Sequence, residues 1–110
     1  LYSSAASDVY KRQAIGGYVP VEKVYELDPY EQLTPAEQAC ILGVQANLWT
    51  EYIATWPHAE YMLLPRLSAL AEVGWSLDRK DYAGYLHRVR RLARIYDACG
   101  YNYARHIFGE

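Results

Sequence analysis

The residues best suited to bind a small molecule are Trp49 and Glu51, which stand two positions apart in the run Trp49-Thr50-Glu51. On an extended strand, side chains at positions i and i+2 point to the same side, so the indole and the carboxylate would line one pocket. An indole offers a flat apolar wall that suits a sugar ring, and a carboxylate accepts hydrogen bonds from hydroxyl groups. The alternative is structural, with Trp49 in the core and Glu51 paired with a cation.

The element that would position these two side chains is predicted to be a strand over residues 41–48. Its residues alternate in character, with an apolar face and a face of polar and aromatic side chains. The apolar face consists of Val44, Ala46 and Leu48. The other face consists of Gln45, Asn47, Trp49 and Glu51. In a barrel the apolar face would pack on outer helices, and Trp49 and Glu51 would stand at the C-terminal end of the strand, where barrel enzymes place their chemistry.

Helices are predicted on both sides of this strand. Thr34 and Glu37 are spaced for a capping box, with Pro35 at the first helical position, so a short helix should begin there. Residues 55–75 are helical in character, with Thr55 as the N-cap, and Pro65 should kink or divide the helix. An amphipathic helix is predicted over residues 80–99, because its apolar residues recur at steps of three and four. Gly100 should end it.

Composition excludes several classes of protein. Lys and Arg number 11 against 13 Asp and Glu, which gives a net charge of −2 and argues against a dedicated nucleic-acid binder. No apolar run reaches the length of about 18 residues that a transmembrane helix needs. Cys40 and Cys99 lack the spacing of a metal site, so they are predicted to be buried small apolar residues.

The chain is too short to be a complete barrel, which needs about 250 residues. Its first residue is Leu1 rather than Met, which favours a fragment or a processed chain. Residues 1–13 have no lasting periodicity and resemble adaptor-derived sequence. We therefore predict a non-native segment at 1–13 and the native part of the chain at 14–110.

Two longer runs carry a family resemblance. GVQANLWTEYI (residues 43–53) followed by EYMLLPRLSALAEVGWS (residues 60–76) resembles the C-terminal end of glycoside hydrolase family 20 β-N-acetylhexosaminidases. The preceding run IGGYVPVEKVYELDP is also similar to the stretch before the last barrel strand of bacterial members. The resemblance extends over about residues 15–105.

The resemblance implies an α/β fold, in which this chain is a C-terminal fragment of a (β/α)8 TIM barrel, with the last strand and the closing helices. It implies hydrolysis of terminal non-reducing N-acetylglucosamine or N-acetylgalactosamine residues by a retaining, substrate-assisted mechanism. Trp49 would then be the aromatic wall of the subsite for the terminal sugar, and Glu51 would bind the sugar hydroxyls. The resemblance implies no metal, cofactor, nucleic-acid or membrane partner, and an exported parent enzyme is in keeping with the family.

One departure limits what this chain could do alone. The catalytic Asp-Glu pair of the family lies in an HxGGDE-like motif, and none of His58, His87 and His106 is followed by that pattern. We therefore expect the isolated chain to be inactive. Two alternatives remain open from the sequence: a small helical interaction module built on the apolar stripe of residues 82–96, and a fragment of another barrel glycoside hydrolase.

Overall fold

The computed structural model describes residues 19–109, and the predicted boundary at residue 13 lies outside this range. Within it the chain is helical, with five α-helices and two 3-10 turns. The helices are α1 (Val21–Tyr25), α2 (Pro35–Gln38), α3 (Trp56–Leu63), α4 (Arg66–Ser76) and α5 (Tyr82–Cys99). The 3-10 turns are Leu77–Arg79 and Arg105–Phe108. None of these helices combines the length and the apolar character needed to cross a bilayer.

The predicted strand over residues 41–48 was wrong for this structure. Residues 41–50 carry no regular secondary structure, and no strand occurs anywhere between residues 19 and 109. A strand is held by hydrogen bonds to neighbouring strands, and in a parallel sheet those neighbours come from other βα units. The alternation of apolar and polar residues predicts an extended conformation for this segment alone. The described part of the chain contains no strand with which the segment could pair.

The predicted start of α2 is confirmed. The Thr34 hydroxyl accepts a hydrogen bond from the Glu37 backbone N–H at 3.4 Å, and the Glu37 carboxylate accepts one from the Thr34 backbone N–H at 2.7 Å. Pro35 occupies the first helical position, where its missing N–H leaves no partner unsatisfied. The helix is short, as predicted, with four residues.

The predicted division of the next helix at Pro65 is also confirmed. Thr55 caps α3 by accepting from the His58 N–H at 3.3 Å. The helix ends at Leu63, and α4 begins directly after Pro65. Pro has no N–H and its ring crowds the preceding turn, so it kinks or breaks a helix, and here it divides the helix in two.

The amphipathic helix α5 has the predicted bounds to within two residues. Asp81 caps it by accepting from the Gly84 N–H at 3.1 Å. Gly100 follows it with φ 73°, a left-handed conformation that glycine adopts without strain. Its buried side chains are Tyr85, Val89, Ala93 and Tyr96. These fall on one face, so the periodicity in the sequence correctly identified the face that packs.

The core lies where α1, α4 and α5 meet. Its buried members are Val21, Val24 and Tyr25 from α1, Ala69 and Leu70 from α4, and Tyr85 and Val89 from α5. Val44 from the irregular segment packs against the same cluster. A second cluster of Ala93, Tyr96 and Tyr103 joins the end of α5 to the C-terminal segment. Within residues 41–50, Val44 therefore links the irregular segment to the helical core.

Candidate functional site

The segment that carries the candidate site lies against α4. A Cβ added at Gly74 would stand 3.1 Å from Val44 Cγ2, tighter than ordinary van der Waals contact. Further along, Ala46 and Leu48 share a small cavity with Leu67 and Leu70 of α4. Since residue 44 is near the end of α4 and residues 46–48 are near its beginning, the segment runs antiparallel to the helix.

Side chains along this segment partly follow the predicted alternation. Val44 and Leu48 are partly buried toward the helices, whereas Gln45 is exposed. Gln45 Nε2 donates to Asn47 Oδ1 at 2.7 Å, so these two side chains do project together. The alternation fails at Ala46, which is exposed, and at Asn47, which is partly buried.

Trp49 and Glu51 are both exposed, and Trp49 retains 56% of its accessible surface. They do not lie on one strand, because the chain turns between them: the Ile53 N–H donates to the Thr50 carbonyl at 3.0 Å, and Glu51 lies inside that turn. The prediction that the Trp49 and Glu51 side chains point to the same side assumed an extended backbone through residue 51. The backbone forms a turn there instead.

Two cavities lie near the segment that carries these two residues, and they differ greatly in size. The cavity beside Leu48 measures about 20 Å³, which is room for about one water molecule, whereas ligand pockets are typically about 300 Å³ or more. A groove of about 290 Å³ lies beside Leu42 and Trp75. Neither Trp49 nor Glu51 lines either space.

Arg66 has a structural role that the sequence did not reveal. It is 4% exposed and donates to backbone carbonyls. Its Nη1 donates to the carbonyls of Tyr61 at 3.2 Å and Met62 at 3.0 Å, and its Nε donates to that of Val19 at 2.9 Å.

The signal for this role was present at Pro65. In a continuous helix the Tyr61 carbonyl would accept from the N–H of residue 65, which proline lacks. The guanidinium of Arg66 supplies a donor in its place and also holds the chain at Val19. In this chain Arg66 therefore caps the last turn of α3.

Glu72 pairs with Arg88. Arg88 Nε and Nη2 donate to the two Glu72 carboxylate oxygens at 2.6 and 2.8 Å, which joins α4 to α5. The Tyr25 hydroxyl donates to Glu72 at 3.2 Å and accepts from the Asp81 N–H at 2.8 Å. The hydrogen bonds from Arg88 hold the pKa of Glu72 below its usual value, although partial burial opposes this. The cluster connects three helices, which is a stabilising role.

The cysteine prediction was wrong. Cys40 and Cys99 are both exposed rather than buried. Cys40 follows the short helix α2 and Cys99 ends α5, and both positions face away from the core. Between residues 19 and 109, no group of three or more His, Cys, Asp or Glu side chains could hold a metal ion.

Comparisons with known proteins agree on one family. Residues 2–78 match the catalytic domain of glycosyl hydrolase family 20. A beta-hexosaminidase of Porphyromonas gingivalis is 42% identical over 92 residues, which are 82% of this chain and 12% of the relative. A beta-N-acetylhexosaminidase of Cellulomonas fimi is 30% identical over 88 residues, which are 79% of this chain and 18% of the relative.

A shorter match is closer in sequence. A beta-hexosaminidase of Vibrio vulnificus is 59% identical over 34 residues, which are 31% of this chain and 4% of the relative. The chain therefore spans less than a fifth of the length of each of these relatives. The family match favours neither the small interaction module nor a barrel hydrolase of another family. The chain belongs to glycosyl hydrolase family 20.

Proposed function

We propose that this chain forms part of the terminal-sugar pocket of a β-N-acetylhexosaminidase, with Trp49 as an aromatic wall and Glu51 as an acceptor for sugar hydroxyls. The observation that carries the proposal is the match to the family 20 catalytic domain over residues 2–78, which includes the whole run from Gly43 to Ile53. The similarity to beta-hexosaminidases from two organisms over about four-fifths of the chain supports the same activity.

In this proposal residues 41–51 take the place of the last strand of a (β/α)8 barrel, and α3, α4 and α5 are its closing helices. The antiparallel course of residues 44–48 along α4 is what a βα unit requires. Val44 and Leu48 already face the helices. With strands on both sides, residues 49–51 would straighten, and Trp49 and Glu51 would then project together.

The proposed reaction is hydrolysis of a terminal, non-reducing N-acetylglucosamine or N-acetylgalactosamine from a glycan. The acetamido oxygen of the substrate attacks the anomeric carbon while the bond to the leaving oxygen breaks, and a carboxylic acid protonates that oxygen. Water then attacks the anomeric carbon of the cyclic intermediate, the bond to the acetamido oxygen breaks, and the carboxylate takes a proton from the water, which releases the sugar and restores the acid. This sequence has no Asp-Glu pair in the required motif. Trp49 and Glu51 therefore bind and orient the sugar, and we expect no turnover from the chain alone.

A hybrid enzyme tests the proposal. The 92 matched residues of the P. gingivalis relative are replaced by the aligned residues of this chain, and hydrolysis of an aryl N-acetyl-β-glucosaminide is measured. Trp49→Ala and Glu51→Gln should each lower kcat/KM at least about tenfold, since a hydrogen bond to a charged group contributes about 1.5–3 kcal/mol.

Matched controls separate a binding role from a general loss of folding. Trp56→Ala removes another exposed tryptophan, and Glu31→Gln neutralises another exposed carboxylate. Both controls should leave kcat/KM within about twofold of the unmodified hybrid. An active hybrid in which Trp49→Ala and Glu51→Gln behave like these controls would refute the proposed roles.

A further inference from the structure

The segment that follows α5 returns across α3. Gly100 turns the chain in a left-handed conformation, with φ 73°, and residues 101–108 then run beside α3. We call residues 101–108 the C-terminal strap. Tyr103 fixes the strap to the helices, because it is 4% exposed and packs in one cluster with Ala93 and Tyr96 of α5.

Asn102 joins the C-terminal strap to the first turns of α3. Its side-chain Nδ2 donates to the Pro57 carbonyl at 2.8 Å, and its backbone N–H donates to a Glu60 carboxylate oxygen at 2.8 Å. A hydrogen bond to a charged acceptor is stronger than one between neutral groups. One residue of the strap therefore holds the N-terminal end of α3 by two hydrogen bonds, one of them to a charged group.

Two further contacts hold the strap against the rest of α3. The Ala104 N–H donates to the Leu64 carbonyl at 2.9 Å, at the end of the helix. The Tyr61 hydroxyl and His106 Nδ1 share a hydrogen bond at 3.2 Å. Because the strap contacts both ends of α3, it fixes where the helix begins as well as where it ends.

Residues 49–55 join the candidate site directly to the start of α3. Within this stretch Ile53 alone is partly buried, and its neighbours are exposed. A stretch with few buried side chains is held weakly by its own packing, so its position depends on where its two ends are fixed. Leu48 lies beside α4 at one end, and Thr55 caps α3 at the other. A shift at the start of α3 therefore moves the candidate site as well.

We propose that Asn102 is a positioning residue for the sugar-binding site, and that it fixes the place of Trp49 and Glu51 by holding the start of α3. The inference rests on the proposed function, because it concerns how that site is held in place. Asn102 acts through α3 rather than by touching the sugar. Hydrogen bonds weaken steeply as their geometry departs from the ideal, so a small displacement of the Glu51 carboxylate lowers the affinity for sugar hydroxyls.

Hydrogen exchange and kinetics of the hybrid enzyme test the proposal, in a version that carries residues 19–108 of this chain and so has the whole strap. Asn102→Ala removes the hydrogen bond to the Pro57 carbonyl, and because Asn102 is exposed the variant should fold. We expect amide exchange over residues 50–60 to become at least about threefold faster.

The same variant should raise KM for the aryl N-acetyl-β-glucosaminide at least about threefold. Its kcat should stay within about twofold, because a sugar-binding contact made equally before and in the transition state changes KM alone. A general loss of folding would instead lower kcat through the fraction of active enzyme. The division between KM and kcat therefore separates positioning from stability.

Asp97→Asn is the matched control. The Asp97 carboxylate accepts from the Tyr103 hydroxyl and from Arg105, so this change weakens the attachment of the strap to α5 and leaves the bonds from Asn102 to α3 in place. Amide exchange over residues 50–60 and KM should both stay within about twofold of the unmodified hybrid.

Glu60 supplies a second pair of variants. Glu60→Gln keeps an oxygen that can accept from the Asn102 N–H, whereas Glu60→Ala removes the acceptor. Glu60→Ala should therefore behave like Asn102→Ala in both measurements, and Glu60→Gln should behave like the unmodified hybrid.

Unchanged exchange over residues 50–60 in Asn102→Ala would overturn the proposal, and so would an equal rise of KM in Asp97→Asn. The same exchange comparison in the full 110-residue chain needs no hybrid and decides the question if the hybrid does not assemble. The two proposals fail separately. Trp49 and Glu51 variants that behave like their controls refute the proposed function, whereas loss of the Asn102 effects alone refutes this inference.

Discussion

At the scale of single residues, Arg66 is a buried arginine that joins three stretches of backbone. Its guanidinium donates to three backbone carbonyls, two of which belong to the last turn of α3. Hydrogen bonds from a charged donor are stronger than neutral ones, and a carbonyl left without a donor in a buried position is costly. The residue therefore fixes how α3, α4 and the chain at Val19 fit together.

Replacing Arg66 should destabilise the chain strongly. Arg66→Met keeps much of the aliphatic length but removes every donor, so we expect a loss of about 3 kcal/mol in the free energy of unfolding. Urea unfolding followed by circular dichroism measures it. The control Arg94→Met changes an exposed arginine and should cost less than about 0.5 kcal/mol. Equal losses in the two variants would contradict the assigned role.

The Glu72–Arg88 pair should make the free energy of unfolding depend on pH in the acidic range. The pKa of Glu72 in the folded chain lies below its ordinary value of 4.5, chiefly because of the hydrogen bonds from Arg88. A carboxylate whose pKa is lowered by folding stabilises the fold fully above its unfolded-state pKa. That contribution is lost as the pH falls below about 4.5 and through the folded-state pKa.

Arg88→Met should remove this contribution. Because half of the Arg88 side chain is exposed, the loss at neutral pH should be about 1 kcal/mol or less. The difference in unfolding free energy between the parent and the variant should shrink as the pH falls below 4.5. A difference that stays constant across this pH range would show that Glu72 and Arg88 do not act as an ion pair. Arg91→Met is the matched control.

At the scale of elements, local signals predicted the helices well. The Thr34 and Thr55 caps, the break at Pro65 and the end of α5 at Gly100 all depend on chemistry within a few residues, so the sequence alone could locate them. The face of α5 that packs also follows from its own periodicity.

The candidate site could not be predicted in the same way. Alternation at residues 41–48 indicates a strand, but its formation depends on partners distant in sequence, and none is present between residues 19 and 109. The relation between Trp49 and Glu51 depends on that strand. The structural role of Arg66 was not predicted, because two of its partners are backbone carbonyls at a helix break. The pattern of charged side chains in a sequence gives no information about such carbonyls.

The contact between α4 and the irregular segment depends on Gly74. Gly74→Val would place a branched side chain where even a Cβ lies 3.1 Å from Val44, so residues 41–48 should be pushed from the helix. We expect a loss of about 1–3 kcal/mol in unfolding free energy and a higher KM in the hybrid enzyme. The control Ala71→Val makes a similar change at an exposed position of the same helix. Equal KM values for both variants would contradict the proposed positioning.

At the scale of the whole molecule, the account predicts a chain that is poorly stable alone. Large apolar side chains such as Leu42, Trp56 and Trp75 are exposed to water. The site segment also has no β partner among the described residues. Calorimetry of the full chain should show a broad transition with little heat, and a dye that binds apolar surface should fluoresce strongly. A sharp, cooperative unfolding transition of the monomer would contradict this prediction.

The central claim is that Trp49 and Glu51 contact one sugar when the rest of a family 20 domain surrounds them. A crystal structure of the hybrid enzyme with bound N-acetylglucosamine tests it most directly. The account predicts that the Trp49 indole stacks about 4 Å from the pyranose ring and that a Glu51 carboxylate oxygen accepts from a sugar hydroxyl at about 2.7 Å. A bound sugar that touches neither side chain, or a Glu51 paired with a cation away from the sugar, would contradict it.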